Sequence, residues 1–102
     1  MVSEVDAQLG RIWEALRAAG CWDDTIIVLT SDHAEMLGDH HMLGKGGYFD
    51  GSYHIPLILR DPRLAASAGR RVEHFTEAVD IMPTLLDLLE QPLPAHLDGR
   101  SL

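Results

Sequence analysis

An adjacent carboxylate and imidazole, Asp32 and His33, follow shortly after an apolar run that extends from Ile26 to Leu29 without a polar residue. A carboxylate and an imidazole together suit Mn²⁺, Zn²⁺ or Fe, whereas a Ca²⁺ site prefers oxygen ligands alone. Two ligands do not complete a metal site, so further ligands must come from elsewhere. Taken alone, the pair also fits a more common arrangement, a capping aspartate beside a hydrogen-bonded histidine.

Lys45 provides a second chemical feature, because it lies among glycines: Gly44 precedes it, and Gly46 and Gly47 follow it. Lysine is a compact positive charge that suits an anionic oxygen, and glycines let the backbone approach a ligand closely. A solvated lysine on a flexible loop is the alternative interpretation. Combined with the upstream metal pair, Lys45 predicts an anion site in which a metal ion and a cation hold a transferring group between them.

Three further histidines lie within reach in the sequence. His40 and His41 are adjacent in a glycine-rich loop, where a polar surface pair is a more common interpretation than a second metal site. His54 could either reach the candidate site or face solvent. A non-catalytic metal-binding or interaction module, built on these adjacent histidines together with Asp32 and His33, is therefore an alternative function.

The elements that must position these residues are those of an α/β protein. Apolar residues at helical spacing predict a helix over residues 3–19, and the apolar run predicts a strand over residues 25–30. Because that run is continuous, we expect a strand buried on both faces and paired in parallel, with ligands bound beyond its carboxyl end. Residues 55–59 predict a second strand, residues 72–79 a short third one, and Asp80 an N-cap for a final helix.

Residues 34–53 form a long connection that contains five glycines and no helical or strand periodicity. Loops of this length in a compact domain are usually functional or disordered. Hydrophobic side chains are available to hold this loop in place, and a linker would lack them. We therefore predict an ordered active-site loop.

The composition excludes several classes of function. The formal net charge of −8 argues against a nucleic-acid surface, which needs a basic face. No apolar run approaches the roughly 20 residues that span a bilayer, so we expect no membrane insertion. Cys21 is the only cysteine, so it can form no internal disulfide. The compartment is undetermined, with the cytoplasm as the expectation that we favour.

Several spaced motifs together resemble one family. Residues 25–62, TIIVLTSDHAEMLGDHHMLGKGGYFDGSYHIPLILRDP, resemble the C-terminal half of the catalytic domain of the sulfatase family in the alkaline phosphatase superfamily. Within that family, the phosphonate monoester hydrolase and arylsulfatase group is the most similar. Residues 79–86 are similar to the family's Asp-x-x-Pro-Thr helix start, and residues 97–102 to its Asp-Gly-x-Ser-Leu element.

The resemblance implies a fold, an activity and a site. The fold would be α/β, part of an alkaline-phosphatase-like three-layer α/β/α sandwich. The activity would be metal-dependent hydrolysis of small anionic substrates, sulfate or phosphonate and phosphate esters. Asp32 and His33 would be ligands of a divalent metal (Mn, Zn or Ca), Lys45 the catalytic contact to the sulfuryl or phosphoryl oxygens, and His54 a substrate-binding residue. A phosphodiesterase or phosphomutase of the same superfamily is a further alternative.

Two departures from the family pattern matter. The family usually has glycine where Ala34 stands, so the turn after the metal pair must form without it. The family's nucleophile, a Cys or Ser in a Cys/Ser-x-Pro-x-Arg motif whose Cys is oxidised to formylglycine, has no counterpart in residues 1–102, and Cys21 is followed by Trp-Asp-Asp. We therefore expect residues 1–102 to be a fragment of the catalytic domain that is inactive alone and has the remainder of that domain as its partner. The sequence leaves homo-oligomer formation open.

Overall fold

The computed structural model describes residues 2–102, with the side chain of Ala65 excepted. The chain forms two compact units, residues 2–69 and residues 70–102. The first unit contains the helix α1, both strands and the long loop, and the second contains the last helix. None of the helices within residues 2–102 combines the length and the apolar character needed to cross a membrane.

Helix α1 extends over Val2–Ala18, close to the predicted range. Gly20, two residues after the last helical residue, adopts a φ of +70°. The main-chain N–H groups of Gly20 and Cys21 donate to the carbonyls of Arg17 and Leu16 at 3.0 Å each, the pattern of a Schellman cap. Glycine suits this position because its missing Cβ removes the penalty of positive φ.

The turn after α1 is stabilised by the indole ring of Trp22, which contacts two guanidinium groups. The Trp22 ring has Arg17 at 4.1 Å and Arg60 at 4.2 Å from its centroid. Arg60 also donates to the carbonyls of Trp22 and Thr25 at 2.7 and 2.9 Å. Because Arg60 belongs to the second strand, these contacts tie that strand to the segment that precedes the first one.

Strands β1 (Ile27–Thr30) and β2 (Leu57–Arg60) form a two-stranded antiparallel sheet. The register pairs Ile27 with Arg60 and Thr30 with Leu57. The predicted parallel pairing is wrong: among the described residues, β1 pairs with β2, and that pairing is antiparallel. Parallel neighbours need a crossover that carries the chain back along the sheet, and the segment between β1 and β2 instead folds at one end of the sheet as a loop.

Burial also differs from the prediction. Residues of β1 are half-buried or exposed, not buried on both faces. The predicted apolar stripe of α1 is likewise open, with Val5 and Ile12 about half exposed at 54% and 51%. A sheet buried on both faces needs a layer on each side, and within residues 2–69 no such pair of layers covers these strands. The apolar pattern thus marks surfaces that this segment alone does not bury.

In the second unit, α3 covers Ile81–Leu88 and follows the short helix α2 (Asp50–Tyr53) of the first unit in chain order. The strand predicted over residues 72–79 is wrong, because these residues are irregular and end in a 3₁₀ turn, Ala78–Asp80. Asp80 does stand at the N-cap position of α3. Its carboxylate, however, makes no capping bond to that helix and instead accepts hydrogen bonds from the main-chain N–H groups of Glu77 and Arg100.

Candidate active site

Asp32 and His33 lie in a tight turn that begins one residue after β1 ends. The Ser31 hydroxyl donates to the carbonyl of His33 at 2.7 Å and lies 3.4 Å from Oδ1 of Asp32. Ala34 is not among the positive-φ residues of the described chain, so the turn forms without the glycine usual in similar sequences. The alternation of side chains along a strand has ended here, so the Asp32 carboxylate and the His33 ring can lie close to each other.

The two oxygens of the Asp32 carboxylate have different surroundings. Oδ1 accepts the main-chain N–H of His33 at 3.0 Å, and Oδ2 lies 3.5 Å from Nε2 of the His33 ring. The His33 N–H, followed by the charge of a protonated His33 ring and that of Lys45, lowers the pKa of the Asp32 carboxyl from its ordinary value. The carboxylate is therefore ionised near neutral pH, with Oδ2 available to a cation.

The His33 ring is oriented by its own backbone. Nδ1 lies 2.9 Å from the carbonyl oxygen of Ala34, and a carbonyl can only accept, so Nδ1 carries a hydrogen. In the neutral ring Nε2 then presents a lone pair towards Oδ2 of Asp32. Two such atoms 3.5 Å apart can be bridged by a positive species, either a proton on Nε2 or a metal ion.

These residues fit a metal ion by this test. Metal-bound histidines commonly donate their other ring N–H to a carbonyl or carboxylate, as Nδ1 of His33 does. In a tetrahedral zinc site, a nitrogen and an oxygen ligand at the usual distances from the metal lie about 3.4 Å apart. Nε2 of His33 and Oδ2 of Asp32 are separated by 3.5 Å. Across residues 2–102, however, no three His, Cys, Asp or Glu side chains gather as a metal-binding group. Among the described residues, Asp32 and His33 therefore offer two candidate ligands and no third.

Lys45 is carried to this region by the folded loop. The main-chain N–H of Met36 donates to the carbonyl of Gly44 at 2.9 Å, and the N–H of Gly38 donates to the carbonyl of Met42 at 2.9 Å. These bonds fold the loop back on itself. Lys45 follows Gly44 and is exposed, close enough to Asp32 for its charge to help lower the pKa of that carboxyl.

Two buried side chains, those of Met36 and Ser52, hold the loop in place. Met36 is fully buried, and its sulfur would lie 3.1 Å from a Cβ placed on Gly51. Ser52 is 1% exposed; its hydroxyl donates to the carbonyl of Gly46 at 3.1 Å, and its carbonyl accepts the N–H of Ala34 at 2.9 Å. One buried serine thereby links Ala34, which follows His33, to Gly46, which follows Lys45, as expected of an ordered loop.

The other histidines are placed differently. The ring of His40 stacks on Phe49, with centroids 4.0 Å apart, and His41 is exposed. His54 is exposed, and its main-chain N–H donates to the carbonyl of Asp50 at 2.9 Å. The contacts of the described residues join none of these rings to Asp32 or His33. A substrate-binding role for His54 stays a prediction.

Sequence reasoning gave no role to Glu35, Ser31 or Ser52. Each makes a hydrogen bond to main-chain atoms: Glu35 accepts the N–H of Gly44, and the two serines donate to carbonyls. A main-chain partner has no side chain of its own to mark it in a sequence. The proximity of Glu35 to the ligand pair was the only available signal.

Comparison with known proteins bears on the whole chain. The sulfatase family model matches residues 1–91. The multifunctional alkaline phosphatase superfamily protein PehA of Trinickia caryophylli is 48% identical over 102 residues, which cover 100% of this chain and 20% of that protein. Arylsulfatase K of Canis lupus familiaris is 40% identical over 102 residues, covering 100% of this chain and 19% of that protein.

A solved structure is similar in three dimensions as well. The phosphonate monoester hydrolase of Agrobacterium radiobacter superposes with a TM-score of 0.95 at 64% sequence identity. The match covers 100% of this chain and 20% of that one. The chain thus spans about a fifth of the length of the relatives that it matches, and its two strands and helices are part of an alkaline-phosphatase-like α/β fold.

Proposed function

Because this chain belongs to the sulfatase family of hydrolytic enzymes, we propose that it forms the C-terminal half of a catalytic domain that cleaves phosphonate or sulfate esters. The relatives named phosphonate monoester hydrolase and arylsulfatase support this class of substrate. The higher identity to the phosphonate monoester hydrolase, 64% against 40% for arylsulfatase K, favours phosphonate monoesters as the preferred substrates. Sulfate and phosphate esters would be secondary substrates.

The observation that carries this proposal is the convergence of Oδ2 of Asp32 and Nε2 of His33 at 3.5 Å, with the charge of Lys45 acting on the same carboxylate. A carboxylate oxygen and an imidazole nitrogen lie close together, and the charge of Lys45 acts on the same carboxylate. This combination suits a doubly charged metal ion and an anionic ester, because the metal and the lysine can share the negative charge of the ester.

Each of the three residues would have a separate task. When bound, the metal supplies Lewis-acid stabilisation of the negative charge on the transferring group. Asp32 would hold the metal through Oδ2, while Oδ1 stays on the N–H of His33. His33 would bind through Nε2, kept in that orientation by the carbonyl of Ala34. Lys45 would contact the non-bridging oxygens of the phosphoryl or sulfuryl group.

The remaining parts of the site would come from outside residues 1–102. The family implies a formylglycine nucleophile, and we propose that it and the other metal ligands lie in the preceding part of the longer protein. The exposed apolar residues of α1 and of the sheet support such a partner, because their number is high for a surface that faces water alone. The isolated chain would then be inactive.

The decisive experiment removes the lysine from the longer protein. We expect Lys45→Ala to lower kcat for an aryl phosphonate monoester about 10²- to 10³-fold, since removal of one pre-positioned charge-stabilising donor has effects of this size. Bound metal, measured by mass spectrometry of the purified protein, should stay at the wild-type level. Arg71→Ala, which removes an exposed cation from the second unit, is the control for lost charge. Near-normal hydrolysis by Lys45→Ala would contradict the proposed role.

A further inference from the structure

We propose that Glu35 is a positioning residue, whose carboxylate fixes the main chain that carries Lys45. The inference rests on the proposed function, because it assigns Glu35 a task only if Lys45 contacts the substrate. Its basis is a hydrogen bond in which the main-chain N–H of Gly44 donates to Oε1 of Glu35 across nine residues of sequence. The two residues lie at the two ends of the loop that separates the metal pair from the lysine.

The peptide groups before Lys45 are held from both sides. The N–H of Gly44 is bound by Glu35, and its carbonyl, which belongs to the Gly44–Lys45 peptide, accepts the N–H of Met36 at 2.9 Å. Gly44 has a φ of +79°, a conformation that glycine adopts without strain. The direction in which the chain leaves Gly44 therefore depends on these two bonds, and that direction determines where the Lys45 side chain starts.

Glu35 also stands two residues after His33, on the turn that holds the ligand pair. Its bond to Gly44 thus connects the metal side of the site to the cation side with one side chain. A bond to an ionised carboxylate is stronger than one between neutral groups, which suits a loop whose other residues are mostly exposed. Of the loop's other carboxylates, Asp39 lies at the start of the 3₁₀ turn Asp39–His41 and Asp50 at the start of α2.

Misplacing a catalytic group by about 1 Å can cost roughly 100-fold in rate. We therefore expect Glu35→Ala in the longer protein to lower kcat/KM about 10- to 100-fold, with metal content unchanged. Glu35→Gln keeps an acceptor oxygen in the same place and should recover most of the loss. Glu14→Ala, which removes an exposed glutamate from α1, should hydrolyse substrate at the wild-type rate.

The informative measurement is a double-mutant cycle between Glu35→Ala and Lys45→Ala, assayed with an aryl phosphonate monoester. If Glu35 acts through Lys45, its removal in the Lys45→Ala background should change kcat/KM by less than about 3-fold, because residues that act as one unit are not additive. Effects that multiply would overturn the inference and leave the proposed role of Lys45 intact. If Lys45→Ala alone retains near-normal turnover, the proposed function fails, and the inference fails with it. Should Glu35→Ala not fold, the same cycle with Glu35→Leu decides between these outcomes.

Discussion

The main chain of Gly99 packs directly against the carbonyl group of Val79: a Cβ on Gly99 would lie 2.1 Å from that oxygen and 2.9 Å from the main-chain nitrogen of Asp80. This contact brings the end of the chain onto the start of α3. There the N–H of Arg100 donates to Asp80 at 2.9 Å, and the N–H of Leu102 donates to the Thr84 hydroxyl at 3.2 Å. The Asp-x-x-Pro-Thr motif of residues 79–86 and the Asp-Gly-x-Ser-Leu motif of residues 97–102 are thus in direct contact.

Replacing Gly99 should break that contact. A methyl group at this position meets main-chain atoms, which cannot rotate away, so the segment must shift. We expect Gly99→Ala to lower the free energy of unfolding by about 1–3 kcal/mol, the usual cost of overpacking, measured by urea denaturation. Gly10→Ala is the matched control, because a Cβ there meets no atom within 4 Å and alanine is favoured in a helix interior. A Gly99→Ala protein as stable as Gly10→Ala would contradict this packing.

Asp80 should make stability depend on acid pH. The N–H groups of Arg100 and Glu77 hold the pKa of this carboxyl below its usual value, which is about 3.9 in an unfolded chain. A group with a depressed pKa in the folded state stabilises that state above the unfolded pKa, and the contribution disappears as the pH falls through the folded pKa. Its stabilisation is therefore complete near pH 6 and declines below about pH 4.

Asp80→Asn tests this dependence. The variant should be less stable than wild type at pH 7. The difference should be smaller at pH 3, which lies below the unfolded pKa of about 3.9, because part of the contribution of the carboxylate is lost there. Urea denaturation at both pH values measures the effect. Asp6→Asn on the exposed face of α1 controls for the loss of one negative charge. An equal difference at pH 7 and pH 3 would show that the ionised carboxylate is not what stabilises this turn.

Much of the fold could be predicted because local chemistry determines it. The end of α1 just before Gly20 follows from the one residue that tolerates a φ of +70°, and each strand overlaps its apolar run and ends one residue beyond it. The direction of pairing could not be predicted, because an apolar run records burial and not the neighbour along the sheet. Asp80 was expected to cap α3, and one of its two actual partners, the N–H of Arg100, lies twenty residues away.

The candidate site likewise has a part that could be predicted from the sequence and a part that could not. Asp32, His33 and Lys45 were predicted from residue type and from family motifs, which record side chains directly. The bonds that would place them are to main-chain atoms: Ala34 for His33, Gly44 for Glu35 and Gly46 for Ser52. Any residue supplies such an atom, so no pattern of types can reveal which one is used.

Ser52 should stabilise the loop more than a serine with the same kind of bond at the surface. Its buried hydroxyl donates to the Gly46 carbonyl at 3.1 Å, and the exposed Ser67 hydroxyl donates to the Leu64 carbonyl at 2.7 Å. We expect Ser52→Ala to cost about 1–2 kcal/mol, because it leaves an acceptor short of water without its donor. Ser67→Ala should change stability by about 0.5 kcal/mol or less. Equal costs in urea denaturation would argue against a buried anchor.

His33 and His54 should differ in what their removal does to the longer protein. If His33 is a metal ligand held by the Ala34 carbonyl, His33→Ala should lower the affinity for Mn²⁺ or Zn²⁺ at least about 10-fold, since even partners of metal ligands contribute that much. His54→Ala should leave bound metal unchanged and raise KM for the ester, because a substrate contact outside the metal shell mainly contributes to binding. Metal content by mass spectrometry and steady-state kinetics separate the two effects, with His74→Ala, an exposed histidine of the second unit, as the control. Full metal occupancy in His33→Ala would refute its assignment as a ligand, and an unchanged KM in His54→Ala would place that ring outside the substrate site.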